Sequence, residues 1–252
     1  QGVSSAASDV YKRQVLDLGD FDGLVTTAPL NLSIKGKGCF VQSIHDVIPL
    51  EYVPTTDHIG VFSQRMKCAI PARKLFVSES TRAKFNKIYC TRNDAGGCVV
   101  TQPPSLQMLN NRESKILQQD VLTPGSVIKP KQKDAELRAY SYLLFNSSVE
   151  ERKNLLFVIK AYKLSGLAQR GIKLCVTGQL KNDSYSKAVA KQADESVLLT
   201  GYIDEITKTS LFLHSLIVLS PSLVEGFGIP ILDSACIGCL LYTSDAADDT
   251  PC

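Results

Sequence analysis

Several residue types and patterns are scarce in this 252-residue chain, which has no Trp, two Met and three His. No run of apolar residues approaches the roughly 20 needed to cross a bilayer, so we predict no membrane-spanning helix. No internal repeat or low-complexity tract interrupts the chain. Asp20-Phe21-Asp22 gives an Asp-x-Asp pattern, but no other group of residues supports it, so we predict no metal site. His58 and His214 match no motif and are predicted to be structural.

The two ends of the chain match translated adapter DNA. Ser4–Gln14 is Ser-rich with two basic residues, as targeting peptides are, but it matches the translation of a transposase adapter used in sequencing libraries. Cys239–Asp248 matches another frame of the reverse complement of that adapter. We therefore expect an internal gene fragment from Val15 to about Gly238, with residues 1–14 and 239–252 as adapter-derived tails. Genomic DNA that encodes these tails without adapter bases would contradict this expectation.

Net charge indicates which kinds of ligand the protein could bind, and the cysteines indicate its redox environment. The formal net charge is +3, and the tails hold more acidic than basic residues, so the segment between them is more basic. A mildly basic protein suits a phosphate-bearing ligand or an anionic membrane surface, and we predict no nucleic-acid partner. Cys236-x-x-Cys239 extends into a tail, so we assign it no redox or metal role. Apolar surroundings around most of the other cysteines are typical of reduced, buried thiols in a cytosolic protein, and we expect this of Cys39, Cys68, Cys90, Cys98 and Cys175.

Short apolar runs alternate with helix-like segments between the tails. This alternation is typical of βαβ units and predicts an α/β protein with parallel sheets. The predicted strands are residues 39–44, 74–77, 98–101, 140–145, 172–176, 196–199 and 216–219. The predicted helices are residues 58–69, 79–89, 153–164, 185–192 and 205–214, with Ser78 as the cap of the second.

Composition divides the chain into two domains. Residues 105–138 are polar, contain Pro124-Gly125 and show little periodicity, so we predict an interdomain connection there. This leaves a Rossmann-like N-terminal domain over residues 15–104 and a second such domain over residues 139–238. We expect both domains to be incomplete, the first without its start and the second without its end.

The stretch Ser220–Asp233 is the strongest motif in the chain. It follows a predicted buried strand and contains two glycines, which let backbone N–H groups approach a ligand. Pro230 suits the first turn of a helix, and a strand, a glycine turn and a helix N-terminus form a phosphate-binding arrangement. The carboxylates of Glu225 and Asp233 lie on either side of the turn. Glycine-rich turns also occur in α/β proteins that bind nothing there, so the turn alone leaves its function open.

A basic pair follows another predicted strand. Ser148 and Glu151 have the spacing of a capping box, which would place Arg152 and Lys153 in the first turn of a helix. The helix dipole disfavours cations there by about 0.3–1 kcal/mol. Because the carboxyl ends of parallel strands share one edge of a sheet, an anion bound between this pair and the turn at Gly226 would offset that cost. A solvated basic pair is the alternative.

Taken together, these segments resemble the GT-B glycosyltransferases of the group 1 family, which are similar to glycosyltransferase family 4. Ser220–Asp233 resembles the family's Pro-Ser-x-x-Glu-Gly-Phe-Gly-x-Pro-x-x-Glu signature, with Asp233 where the family has Glu. The other matching segments are 43–50 (His-Asp-x-Ile-Pro-Leu), 74–82 (strand-Ser-x-x-Thr), 147–154 (Glu-x-Arg-Lys-Asn) and 201–205 (Gly-Tyr-Val-x-Asp/Glu).

The resemblance implies the GT-B fold of two Rossmann-like domains and a set of site residues. His45 and Glu225 would face the donor sugar, and Lys153 and Arg152 would contact its diphosphate. Many members carry an Arg five positions before that Lys, where this chain has Ser148. The implied nucleotide-binding residues are Gly226, Phe227, Gly228, Ile229, Asp233 and Tyr202. Among these, Asp233 would accept hydrogen bonds from the ribose, and Tyr202 would lie in a turn against the nucleobase.

The implied activity is transfer of a sugar from a nucleotide-diphosphate sugar, such as a GDP- or UDP-sugar, to an acceptor hydroxyl with retained configuration. The acceptor would be a glycan or a lipid-linked sugar in polysaccharide or glycoconjugate synthesis, and residues 43–50 are similar to those of mannosyl-type enzymes. No cofactor and no metal are implied. The resemblance also implies a cytoplasmic protein, compatible with peripheral association at the inner face of the membrane.

Two other functions stay open. One is a non-catalytic nucleotide-binding α/β module. The other is a dinucleotide-dependent oxidoreductase that uses Gly226-x-Gly228, although Ile231 stands where its fingerprint has a third glycine. Because both predicted domains are incomplete, we expect no turnover from the 252-residue chain itself.

Overall fold

The computed structural model describes residues 13–52, 58–91, 97–108, 122–130 and 136–243. Contacts divide the chain into two compact units. Unit 1 comprises residues 1–102, 225–227 and 249–252, and unit 2 comprises residues 103–224 and 228–248. Most of each predicted tail, together with residues 109–121 and 131–135 of the predicted connection, lies outside the described residues.

Unit 1 contains the strands β1 Gln14–Asp17, β2 Gly23–Thr26, β3 Leu32–Lys35, β4 Cys39–Ile44, β5 Arg73–Phe76 and β6 Gly97–Val99. Four of them form a parallel sheet with the order β2-β4-β5-β6, and β1 and β3 form a separate parallel pair. The helices are α1 Ile48–Glu51, α2 Ile59–Ala69 and α3 Glu79–Tyr89.

Side-chain hydrogen bonds stabilise the N-terminus of α3 and the C-terminus of α2 in unit 1. Ser78 begins α3 as predicted, because its hydroxyl accepts a hydrogen bond from the Thr81 amide at 3.0 Å. Beyond α2, the Nζ of buried Lys74 donates to the carbonyls of Ile70 and Ala72, each at 3.0 Å. The first contact satisfies the carbonyl of Ile70, the residue that caps α2, and the second holds the turn that leads to β5. The core of the unit packs between this sheet and its helices, around Ile44, Met66, Phe76 and Phe85.

Unit 2 contains a five-stranded parallel sheet and a short antiparallel pair of strands. The strands are β7 Val127–Ile128, β8 Leu137–Arg138, β9 Tyr142–Asn146, β10 Lys173–Thr177, β11 Val197–Gly201, β12 Ile217–Ser220 and β13 Leu241–Thr243. The helices are α4 Leu155–Leu164, α5 Ser184–Gln192, α6 Glu205–Leu213 and α7 Ile229–Cys236. Segments of 3-10 helix span Ser105–Met108, Glu151–Lys153 and Ala168–Arg170.

The strand order of the large sheet is β11-β10-β9-β12-β13. The chain begins this sheet at β9, adds β10 and β11 on one side, and then crosses to add β12 and β13 on the other. β9 and β12 are therefore neighbours at the point where the strand order reverses, with Leu143 opposite Ile217. Ligands of open α/β sheets bind beyond the carboxyl ends of the strands at such a switch point.

Alternate residues of the central strands build two cores on the two faces of this sheet. Tyr142, Leu144 and Cys175 face one side, which α6 covers with Leu211 and Phe212. Leu174, Val176 and Phe145 face the other side, which α4 and α5 cover. Burial on both faces explains why these strands read as continuous apolar runs in the sequence.

The predicted strands all occur, each with its ends within two residues of the predicted ones. The short strands β1, β2 and β3, the antiparallel pair β7 and β8 within the predicted connection, and the last strand β13 were not predicted. β13 lies within the segment predicted to be an adapter-derived tail, and it pairs with β12 through Val218 and Leu241. Its sequence Leu-Tyr-Thr includes aromatic and β-branched residues, which are enriched in strands.

One carboxylate of unit 2 gives a pH prediction. Asp194 accepts from the Nζ of Lys163 at 2.8 Å and from the backbone N–H of Ser196 at 3.0 Å, and these contacts lower its pKa to about 2. Its stabilising contribution is therefore present above the unfolded pKa of about 3.9 and is lost as the pH falls through about 2. NMR titration of the side-chain carboxyl carbon should give a midpoint near 2, and a midpoint near 4 would contradict the ion pair.

Candidate functional site

The loop after β9 carries the basic pair on a short 3-10 turn, not on the helix that follows. Glu151–Lys153 form this turn, and α4 begins only at Leu155. Asn154 separates the two with a left-handed φ of 60°, which Asn tolerates better than most residues. The prediction of a helix from Lys153 with a capping box at Ser148 and Glu151 was therefore wrong. The cost that the α4 dipole would impose on the basic pair does not apply.

Lys153 lies beside the switch point with its side chain almost wholly inside the protein. Only 6% of the residue is exposed, and its backbone N–H donates to the carbonyl of Glu150 at 3.0 Å. Burial strengthens the interaction of a charge with an oppositely charged group, because less water screens it. A cation in this position is suited to bind an anion at the carboxyl edge of the sheet.

Glu150 is the centre of an ion-pair network that the sequence did not predict. Its Oε2 accepts from the Nε of Arg152 at 3.0 Å, and its Oε1 accepts from the Nζ of Lys181 at 3.1 Å. Partial burial acts to raise the pKa of Glu150, but the hydrogen bond from Lys181 and the charge of Arg152 outweigh it and lower the pKa. Glu150 is the Glu of the Glu-x-Arg-Lys-Asn segment, so the motif contained a signal for it.

Arg152 joins the loop after β9 to the loop after β12. Its Nη1 donates to the carbonyl of Val224 at 3.3 Å, and its own carbonyl accepts from the N–H of Leu223 at 2.8 Å. The guanidinium is thus already engaged by protein groups on two of its nitrogens. The predicted contact of Arg152 with a diphosphate stays a prediction.

Gly228 and Ile229 begin α7 as the motif predicted. Gly228 precedes the helix with a left-handed φ of 82°, where an added Cβ would lie 3.1 Å from the Cδ1 of Ile231. Pro230 lies in the first turn, which confirms its predicted position. The chain therefore turns from β12 into α7 at a position that favours glycine on both steric and conformational grounds.

Asp233, predicted to bind a ribose, is 1% exposed and holds the 3-10 segment Ser105–Met108. Its Oδ1 accepts from the backbone N–H of Ser105 at 2.6 Å and of Leu106 at 3.3 Å, and its Oδ2 accepts from the Ser105 hydroxyl at 2.5 Å. The Nζ of Lys208 donates to the same hydroxyl at 3.0 Å. A ribose hydroxyl would have to displace Ser105 to reach this carboxylate.

Tyr202 follows β11 and is 76% exposed. Tyr202 and Lys153 both lie beyond the carboxyl ends of strands of this sheet. β10 lies between β11 and β9, so Tyr202 is two strands away from β9. Asp204 caps α6 by accepting from the Thr207 amide at 2.7 Å. An ordinary turn with a helix cap therefore accounts for Asp204, while the nucleobase contact of Tyr202 stays a prediction.

In unit 1, His45 follows β4 as an exposed residue. Its Nε2 lies 2.7 Å from the carbonyl of Thr27, and its Nδ1 lies 3.3 Å from the Nε2 of Gln102. Since a carbonyl can only accept, Nε2 carries the proton, and Nδ1 accepts from the Gln102 amide. This pair of contacts fixes the orientation of the imidazole ring.

Glu225, Gly226 and Phe227 are half-buried residues that group with unit 1. The Gly226 carbonyl accepts from the hydroxyl of Ser78 at 2.7 Å and from that of Thr81 at 3.3 Å. A Cβ on Gly226 would lie 2.5 Å from the carbonyl oxygen of His45. The structure therefore brings His45 and Gly226 together, 181 positions apart in the numbering.

Gly226→Ala should destabilise the protein by about 1–3 kcal/mol, because the added methyl group meets backbone and cannot be relieved by a side-chain rotation. The φ of Gly226 is not positive, so the cost measures the close contact alone. Urea denaturation measures the effect, with Gly60→Ala in α2 as the control.

The Cβ of that control would meet only the side chain of His58, at 3.2 Å. Alanine is also favoured over glycine in a helix, so Gly60→Ala should be neutral or stabilising. A Gly226→Ala variant as stable as the unmodified chain would contradict the contact.

The described residues contain no further candidate for a metal site or a membrane-spanning helix. No group of three or more His, Cys, Asp or Glu side chains among them could hold a metal ion, and none of their helices is long and apolar enough to cross a membrane. A cavity of about 510 Å³ in unit 1 is lined by residues that include Ile34, Phe40, Cys68 and Arg73. It contains none of the predicted site residues and lies at the amino ends of β4 and β5, opposite the end that leads to His45.

Known structures with the same architecture are glycosyltransferases. A UDP-forming α,α-trehalose-phosphate synthase from Burkholderia xenovorans is 12% identical with a TM-score of 0.61, over 84% of this chain and 55% of that one. WaaG, a glycosyltransferase involved in lipopolysaccharide biosynthesis, is 18% identical with a TM-score of 0.58, over 89% of this chain and 60% of that one. TarM from S. aureus is 14% identical with a TM-score of 0.53, and the match covers 83% of this chain and 37% of that one. The chain thus spans little more than half of the first two structures.

No curated protein sequence matches the chain. Residues 128–248, in contrast, match the family profile described as "Glycosyl transferases group 1". The three structures named above are GT-B glycosyltransferases, which confirms the α/β class and the GT-B fold predicted from the sequence. Residues 128–248, which contain the motif Ser220–Asp233, are therefore similar to the group 1 glycosyl transferases, the family that the sequence resembles.

Proposed function

We propose that the complete protein is a retaining glycosyltransferase that moves a sugar from a nucleotide-diphosphate sugar to an acceptor hydroxyl. The observation that supports this most directly is Lys153, a buried cation in the loop after β9 at the switch point of the sheet. A donor diphosphate is the ligand that such a position favours, since it needs a fixed positive charge and backbone donors.

The difficult charge in this reaction develops on the leaving diphosphate. Lys153 would stabilise it as a point charge, and the N–H groups around Gly228 and Ile229 at the start of α7 would donate hydrogen bonds. These groups are placed before the reaction begins, so they need little reorganisation during it. No metal ion is required for this role.

The residues in unit 1 would act on the donor sugar. Glu225 would accept a hydrogen bond from a sugar hydroxyl, as the family resemblance implies. His45 would contact the sugar through the edge of its ring, exchanging its contact with Gln102 for one with the ligand. Gly226 and Phe227 would contribute backbone groups.

The nucleoside would occupy the other half of the donor site. The exposed ring of Tyr202 offers a face on which a base could stack, and Asp233 would bind the ribose once Ser105 has moved away. Asp is one methylene shorter than the Glu of the family motif, so this contact demands a closer approach of the ribose.

Similar structures suggest which donor to try first. TarM and the pneumococcal O-GlcNAc transferase GtfA were each solved with UDP, so a UDP-sugar is our first candidate and a GDP-sugar the second. The acceptor would be a glycan or a lipid-linked sugar in polysaccharide or glycoconjugate synthesis. The protein would act in the cytoplasm, and its positive net charge would favour contact with an anionic membrane surface.

Titration calorimetry of the 252-residue chain with UDP, GDP and NAD tests the nucleotide class. Binding of UDP or GDP but not of NAD is expected, and binding of NAD alone would favour the oxidoreductase instead. The complete parent protein, supplied with radiolabelled nucleotide sugars and membrane acceptors, should transfer the sugar, and NMR of the product should show retained configuration. Nucleotide binding without transfer by the parent would leave a non-catalytic module. The 252-residue chain itself is expected to show no turnover.

A further inference from the structure

The carboxylate of Glu150 uses its two oxygens for two different cations. One oxygen binds the Nε of Arg152 and the other binds the Nζ of Lys181, at 3.0 and 3.1 Å. The side chains of Glu150 and Arg152 are 27% and 18% exposed, so water screens their interaction only in part. Lys181 lies in the segment between β10 and α5, and the carboxylate therefore links two connections at one edge of the sheet.

Arg152 extends this network to a third connection. Its Nη1 reaches the carbonyl of Val224, and its carbonyl receives the N–H of Leu223, so two hydrogen bonds tie it to residues 221–224. Those residues lead from β12 to the glycine turn. The guanidinium is planar, and Glu150 fixes its orientation by holding Nε. Arg152 can then direct Nη1 to Val224, which a flexible lysine could not do while also pairing with Glu150.

We propose that Glu150 and Arg152 are positioning residues of the donor site: Glu150 orients Arg152, and Arg152 holds residues 221–224, so that the glycine turn after them is correctly placed. The inference rests on the proposed function, since the turn is taken to bind the donor. In this proposal Arg152 affects donor binding by holding residues 221–224 in place, and Lys153 is the cation that contacts the diphosphate.

The direction in which nucleotide affinity changes when the Glu150 carboxylate is removed distinguishes a positioning role from direct repulsion of the bound anion. A carboxylate close to an anion site repels the anion, so its removal alone should tighten nucleotide binding. If Glu150 instead keeps Arg152 and the loop in place, its removal should weaken binding. Groups that orient the direct ligands of a site typically change affinity by about tenfold or more when they are replaced.

The test compares Glu150→Gln with Glu151→Gln in the full chain. Both remove one negative charge from the same loop, but Glu151 is exposed and lies outside the network described here. Calorimetry with UDP and GDP should show about tenfold weaker binding for Glu150→Gln, and unchanged or slightly tighter binding for Glu151→Gln. Equal or tighter binding by Glu150→Gln would overturn the proposal.

Arg152→Lys adds a second comparison. It keeps the positive charge but replaces the planar guanidinium, which binds Glu150 and Val224 with different nitrogens, by a single ammonium group. Positioning predicts that Arg152→Lys loses as much affinity as Arg152→Met, whereas a direct charge contact predicts that lysine largely rescues binding. Thermal unfolding of each variant, measured in parallel, identifies any general loss of the fold.

Amide hydrogen exchange of Leu223 tests the same proposal without a nucleotide. Its N–H donates to Arg152, so exchange should be about tenfold faster in Glu150→Gln and unchanged in Glu151→Gln. Unchanged exchange in Glu150→Gln would overturn the positioning role. Failure of the unmodified chain to bind UDP or GDP would instead count against the proposed function, and the exchange of Leu223 would still decide the role of Glu150.

Discussion

Replacing Lys153 with methionine should weaken the binding of UDP or GDP by about 2 kcal/mol, which is about 30-fold in Kd. Methionine keeps most of the length and apolar stem of lysine but cannot donate to a phosphate. The loss is expected to be large because the Lys153 side chain is buried, where a charge-assisted hydrogen bond is screened little. Titration calorimetry of the 252-residue chain measures the affinity.

Lys160→Met is the matched control for this variant. Lys160 lies in the following helix, α4, and is exposed, so the same chemical change there should leave the affinity nearly unaltered. In a complete homologue, the variant at the position of Lys153 should also lower kcat, because the leaving diphosphate would lose its counter-charge. Unchanged nucleotide affinity in Lys153→Met would remove this residue from the proposed site.

The largest effect on stability is expected for Gly178→Ala, at about 3 kcal/mol or more. Gly178 follows β10 with a φ of 123°, and an added Cβ would lie 2.2 Å from the carbonyl oxygen of Ser147. Left-handed backbone costs a residue with a Cβ about 1–2 kcal/mol, and forced contact in a packed site adds about 1–3 kcal/mol. Ser147 begins the loop that carries Lys153, so the same change should also weaken nucleotide binding.

Gly171→Ala separates the cost of a left-handed backbone from the cost of the steric contact. Gly171 also has a positive φ, of 76°, but nothing lies within 4 Å of its added Cβ. Its variant should therefore lose only the conformational part, about 1–2 kcal/mol. Urea denaturation of both variants gives the difference, and equal losses would show that the contact with Ser147 is relieved without cost.

The strands of this fold were predictable because parallel strands are buried on both faces. Tyr142–Asn146 and Lys173–Thr177 are nearly continuous apolar runs, and the sequence predicted both strands to within two residues at each end. The order of the strands was not predictable in the same way. Nothing in β9 itself shows that β12, about 70 residues later, pairs with it at Leu143.

The candidate site was predicted in its residues and less well in its geometry. Arg152 and Lys153 were found from their motif, but their helix was placed two residues too early because the left-handed φ of Asn154 has no strong sequence signal. The network of Glu150 with Lys181 joins residues 31 positions apart, and the contact of Asp233 with Ser105 joins residues 128 positions apart. Such contacts depend on how the chain folds back on itself, and residue spacing does not encode them.

The pairing of β13 with β12 has a consequence for how the chain behaves when it is shortened. Leu241–Thr243 satisfy the backbone groups on the outer side of β12, which would otherwise be an edge strand. A chain that stops at Gly238 would present the apolar strand Ile217–Ser220 with an unpaired row of N–H and C=O groups, a template for strand addition by a second molecule. These few residues therefore cover the apolar strand β12 and leave the three-residue strand β13 as the edge, and a short edge strand is a weaker template for strand addition.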